Sequence, residues 1–68
     1  MKRYWFELED NSGNDLGAAI PDSSSKQSGI NRAKKWMEDN GVKVASLIVN
    51  SMLTGNLLDV IDIDLINN

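Results

Sequence analysis

Asp59, Asp62 and Asp64 form the densest group of side chains that could do chemistry here, because hard cations such as Ca²⁺ and Mg²⁺ are held by carboxylate oxygens. Their spacing works against a shared ion. In an extended strand Asp62 and Asp64 project to one face and Asp59 to the other, so a single ion would need a bulge or a helix to gather all three. On an edge strand the same acids keep the strand solvated and discourage uncontrolled sheet growth. The run Asp10-Asn11-Ser12-Gly13-Asn14-Asp15 places oxygen ligands at alternate positions like a calcium loop. Its glycine is fourth rather than sixth, however, and Pro21 stands twelfth, where a bidentate Glu belongs. A chain-reversing turn accounts for the same composition.

The 68 residues include no cysteine and no histidine. Disulfides, Cys or His zinc sites, Ser-His-Asp catalysis and Cys nucleophiles are excluded on that ground. Carboxylates, lysines, Tyr4 and hydroxyls remain. Paired carboxylates do acid–base work when burial separates their pKa values, yet nothing in the sequence shows which pair would meet in one pocket, and so short a chain encloses little substrate volume. The expectation is a protein that is not an enzyme, with no catalytic residue, no cofactor and no metal. Lys26, Arg32, Lys34, Lys35 and Lys43 make the middle of the chain locally basic. On a helical wheel they spread around the polar side, and Glu38 and Asp39 follow Lys34 and Lys35 at four-residue spacing, as on a wet surface. The net charge of −3 and a pI of about 4.6 work against general binding to nucleic acid or an anionic membrane, since both require a positive field.

The elements that would position these groups follow from pattern. Tyr4, Phe6 and Leu8 alternate with Trp5, Glu7 and Glu9, which predicts a strand over 3–9. After the acidic turn, Leu16–Ile20 reads as a short second strand that Pro21 stops. Asp22-Ser23-Ser24-Ser25 offers N-caps, and Ser24 with Gln27 has capping-box spacing. Ile30, Ala33, Trp36 and Met37 then share one helical stripe with Gly29 at its edge, until Asn40-Gly41 supplies a left-handed stop. Val42–Asn50 and Leu57–Ile66 are strand-like blocks joined by the turn formers Thr54-Gly55-Asn56. Leu57, Leu58, Ile61 and Leu65 also fit a helical stripe, while the β-branched Val60, Ile61 and Ile63 favour the strand. Asn67-Asn68 read as a frayed end.

The predicted architecture is one α+β domain over residues 1–68, in the order ββαββ. A single helix packs on a three- or four-stranded, mostly antiparallel sheet, with Phe6, Leu8, Ile30, Ala33, Trp36 and Met37 in its core. Both late blocks carry apolar side chains on both parities, and strands of that kind want cover on two sides. One helix supplies one layer. A second copy of the protein is the expected source of the other, with Trp5, Leu47, Val49 and Leu57 as interface contacts. Glu7 and Glu9 interrupt the apolar start too early for a signal peptide, and no segment approaches the ~20 apolar residues of a membrane span. These features, with the lack of cysteine, point to the cytoplasm and to no membrane association.

The order of strand, acidic turn, short strand, Pro21-Asp22 and a helix carrying Ala33 and Trp36 before Gly41 resembles the HicB-type antitoxin domain over the first forty or so residues. That family has a strand-rich, partly degraded RNase H-like fold, often fused to a DNA-binding segment. The chain departs from it in lacking a glycine soon after Pro21-Asp22 and in lacking a separate DNA-binding tail, so no toxin-contacting residue is carried over. From Trp36 through Val49-Asn50-Ser51 to the Ile61-Asp62-Ile63-Asp64 run the sequence resembles small proteins of Bacteroidetes-type bacteria, a likeness that implies no activity. Two functions stand as expectations. One is a self-associating, dimeric interaction module that could also take a different protein partner. The alternative is an antitoxin-like or regulatory nucleic-acid partner that uses the helix lysines.

Overall fold

The alternation at the start of the chain produces β1, Tyr4–Glu9, and the capped apolar stripe produces α1, Lys26–Asn40. The two late blocks produce β2, Val44–Ser51, and β3, Leu57–Asp64. The computed structural model describes residues 3–66, and the N-terminal pair and the expected fraying of Asn67-Asn68 lie outside the described residues. The strands form one antiparallel sheet in the order β1-β2-β3, with α1 on one face, an α+β fold. Leu57–Asp64 takes the strand alternative: its β-branched residues complete a ladder with β2 that an isolated helical stripe could not match.

The element order is β-α-β-β and not ββαββ. Leu16–Ile20 is not a strand, because Gly17 adopts φ 71°, a left-handed value incompatible with extended pairing, and its N–H is taken by Asp15 Oδ1 at 2.7 Å. The segment still serves the sheet. It touches the outer edge of β1 through the Glu9–Asp15 bridge, swings away at Gly17, and returns to exchange two backbone hydrogen bonds between Ser23 and Tyr4. On the way Leu16 and Ala18 pack on the core and Ile20 is buried in it. The acidic turn before it is organised by Asp10, whose carboxylate accepts the N–H groups of Ser12 and Asn14, each at 2.9 Å.

Ser25, not Ser24, caps the helix. Its Oγ accepts the Ser28 N–H at 3.3 Å, while Ser23 Oγ accepts the Ser25 N–H at 3.1 Å, so the serine run is spent on starting the helix. Gly41, at φ 70°, ends it, and the Val42 N–H reaches back to the Met37 carbonyl at 2.9 Å. Beneath α1 the even residues of β1 meet the odd residues of β2: Phe6 opposes Val49, and Leu8 opposes Leu47. These four, with Ala33, Met37, Ala45, Ile20 and Ile63, make the core, and Ile30 and Trp36 pack at its margin.

Gly29 is buried where the helix comes closest to the sheet, and a Cβ added there would fall on the Phe6 ring. Gly29→Ala sets a helix-propensity gain of about 1 kcal/mol against an overpacking cost of roughly 1–3 kcal/mol. A lower unfolding midpoint is expected, measurable by thermal or urea denaturation. At the turn, the Asn14 amide and then that of Ser12 hold the Asp10 carboxyl below its ordinary value despite slight desolvation. A depressed folded-state pKa means that the turn's contribution is present above the usual carboxylate range and disappears as pH falls through the lowered value. In an NMR titration the Asn14 amide resonance should follow Asp10 and move at lower pH than an aspartate in an unstructured peptide.

Candidate interaction surface

A helix with its side chains is about 10 Å across, and neighbouring strands lie about 4.8 Å apart, so one helix roofs two strands. Here α1 lies over β1 and β2. Along β3 only Ile63 is buried and Ile61 half-buried, and every residue from Met52 to Val60 is exposed. The large exposed hydrophobic residues among those described are Met52, Leu53, Leu57, Leu58, Val60 and Ile66. All of them fall in the β2–β3 turn, in β3 or just beyond it.

The register sorts the sheet's open face into rows. Trp5, Asn50 and Leu57 lie side by side, then Glu7, Ile48 and Val60, then Glu9, Ser46 and Asp62. One end of the face is therefore largely apolar and the other acidic. A register shift between Val49 and Asn50 makes Leu58 an extra residue in β3. As a result Leu58 and Asp59 both serve the helix side. Asp59 Oδ2 stands 3.9 Å from Lys26 Nζ, and Leu58 lines a groove with Arg3, Tyr4, Lys26, Ser51 and Leu53.

Of the four contacts expected from sequence, Trp5 and Leu57 lie on the open face, Trp5 half-buried and Leu57 well exposed. Leu47 and Val49 do not belong to the surface. They share the parity that faces the helix and are fully buried against Leu8 and Phe6, so it is Ile48, of the opposite parity, that belongs to the open face. Sequence reasoning missed Leu58, Val60, Met52 and Leu53. For Leu58 and Val60 the signal was the apolar content of both parities of 57–66, more than a strand at the margin of the helix can bury.

The two edges of the sheet differ. Tyr4 exchanges both backbone bonds with Ser23, and the Leu8 carbonyl accepts the Leu16 N–H at 2.9 Å, so the even residues of β1 point outward into the connecting segment. Alternation then directs the odd residues of β1 to β2, the odd residues of β2 to β3, and Val60 and Asp62 outward along the far edge. Among the described residues no strand lies beyond that edge. The Val60 N–H is met by the neighbouring side chain, Asp59 Oδ1 at 2.8 Å.

The aspartates are dispersed in this geometry. Asp62 Oδ1 accepts the Ser46 hydroxyl at 3.0 Å, and Asp64 Oδ1 accepts the Ile66 N–H at 2.8 Å. Among the described residues no three His, Cys, Asp or Glu side chains are grouped closely enough to hold a metal ion. On the helix, Lys35 pairs with Asp39 at 3.5 Å, with Arg32 exposed and Lys34 half-buried beside it. No described helix is long and apolar enough to cross a membrane. The chain matches no family model, no curated protein and no solved structure.

Asn50 is a polar residue in an apolar row. It is only 6% exposed, and among the described residues its Nδ2 has no hydrogen-bond partner. An unsatisfied buried donor costs roughly 1–3 kcal/mol, so the near-isosteric Asn50→Leu should raise the urea midpoint of the subunit. An unchanged or lower midpoint would show that the amide is satisfied in solution.

Proposed function

We propose that this protein is a small, non-catalytic interaction module that self-associates through the part of its sheet the helix leaves uncovered. The observation that carries this is the gathering of the large exposed apolar side chains into residues 52–66, in the β2–β3 turn, just beyond β3, and on β3 itself, which is exposed along one face, at Leu58 and Asp59 on the helix side, and along one edge. Scattered single apolar residues are normal on a surface, whereas a contiguous group marks a contact site. Stable interfaces bury at least about 600 Å² on each partner. Removing such a patch from water is worth several kcal/mol at about 25 cal/mol per Å² before association entropy is subtracted. That is comparable with the whole stability of a small domain.

The chemistry of the remaining groups supports a non-catalytic role. Asp10 is held by turn amides, Asp62 by Ser46 and Asp59 by Lys26, each apart from the others. The alternative of a nucleic-acid partner draws no comparable support, since Lys26 and Lys35 have acidic neighbours and the chain is net acidic. Steep loss of binding to mixed DNA or RNA with rising salt would favour that alternative.

Sedimentation across a concentration range tests the proposal. The expected result is a mass that rises from one chain toward two between low and high micromolar concentration. A chain that stays monomeric at high micromolar concentration while unfolding cooperatively would overturn it.

A further inference from the structure

We infer that the partner surface is the free edge of β3, and that two copies join there antiparallel, about a two-fold axis at Ile61, so that their three-stranded sheets become one. This rests on the self-association proposed above and names its site. The occupant is a second copy because β3 is complementary to itself in one orientation and not in the other. Laid parallel and in register, two β3 strands would place each aspartate beside its own counterpart, and like charges directly opposite destabilise a sheet. Laid antiparallel, an axis at Asp59 or Asp62 opposes two copies of that carboxylate, and an axis at Ile63 opposes Asp62 to Asp64. An axis at Ile61 opposes Asp59 to Ile63 and Val60 to Asp62 and leaves Asp64 at the end of the pairing, against the bulge, so no aspartate is set directly opposite another.

The same axis suits the backbone and the core. Val60 and Asp62 are outward-facing positions, and across an Ile61 axis they become a hydrogen-bonded pair with their counterparts, twice over. Ile61, half-buried and packed against the core, meets its own copy on the helix side, which continues the apolar layer from one subunit to the next. An axis at Val60 also separates the carboxylates, but it draws the bulged Leu58 toward the middle of the pairing. The Ile61 axis leaves that bulge at the end. The helix lies over β1 and β2, so it does not obstruct the edge.

One local feature limits the assembly to a pair and another makes the pairing selective. The outer edge of β1 is bridged at Tyr4 and at Glu9 by the segment that leads to the helix, so a joined sheet has no second open edge on which to grow. The Val60 N–H, needed for pairing, is covered in the single subunit by Asp59 Oδ1, and Lys26 stands ready to take that carboxylate when the N–H is handed over. Pairing is therefore selective for a strand that offers carbonyls in the right register, and a stray extended segment is disfavoured.

Asp62→Pro tests the site. It removes an outward N–H that the intramolecular ladder does not use, and proline is tolerated at such edge positions. Circular dichroism and thermal unfolding establish that the variant folds. Trp5→Lys, on the open face away from the edge, serves as the comparison. The expected result by sedimentation is a dimer for the parent chain and for Trp5→Lys, with the dissociation constant of folded Asp62→Pro raised at least tenfold. If Asp62→Pro dimerises like the parent while Trp5→Lys does not, the edge assignment fails and self-association through the face survives. If the parent is monomeric throughout, both fail. Should Asp62→Pro not fold, an Asp62 N-methyl amide in a synthetic chain makes the same deletion with less backbone restriction, and undiminished dimerisation of it overturns the inference.

Discussion

One helix covers two strands, and this sheet has three. From that mismatch of widths, about 10 Å of helix against strands about 4.8 Å apart, follows which apolar residues on the helix side of the sheet are sealed from water. Phe6, Leu8, Leu47 and Val49 lie under α1 and lose nearly all contact with water, whereas Leu58, on the same side but at the third strand, stays about half exposed, and Leu57 and Val60 are exposed on the face opposite the helix. Gly29 sharpens the effect. By admitting the Phe6 ring it lets the helix settle closely over β1, on the side of the sheet away from β3.

Much of this was legible in the sequence, for reasons that differ by element. The helix declared itself through a serine-rich start, an apolar stripe and Gly41, all of them local signals, and the structure moved only the cap, from Ser24 to Ser25. The first strand and the late hairpin followed from alternation and turn residues. Leu16–Ile20 misled because its apolar residues are real core residues, yet Gly17 turns the backbone left-handed between them, which composition alone does not reveal. The surface was half legible. Excess apolar content in the late blocks was evident, but β2 carries it in the centre of the sheet and β3 at the edge. Leu47 and Val49 could not be told from Ile48 until the register fixed which parity faces the helix.

The two edges of the sheet are managed by different means. At β1 the chain protects its own edge, spending the 15–23 segment on backbone contacts rather than on a regular strand. At β3 protection is chemical: alternating aspartates, a bulge near Leu58 and a carboxylate over the Val60 N–H. Such devices discourage indiscriminate pairing. They do not abolish pairing with a strand whose charges interleave with them, and the strand that satisfies this condition on the molecule is β3 itself. In this view the acids are a filter on association, and the exposed aliphatic residues are its driving force.

The amide of Asp62 reports on this account most directly. In a single subunit it points outward from the sheet with no strand beyond it, and in the assembly it is an interior ladder bond. Hydrogen exchange followed by NMR at increasing protein concentration should show Asp62 slowing with concentration while Leu47, in the middle of the sheet, stays protected throughout. Exchange at Asp62 that remains fast and independent of concentration, with Leu47 still protected, would show that β3 is content as an edge and would contradict the account.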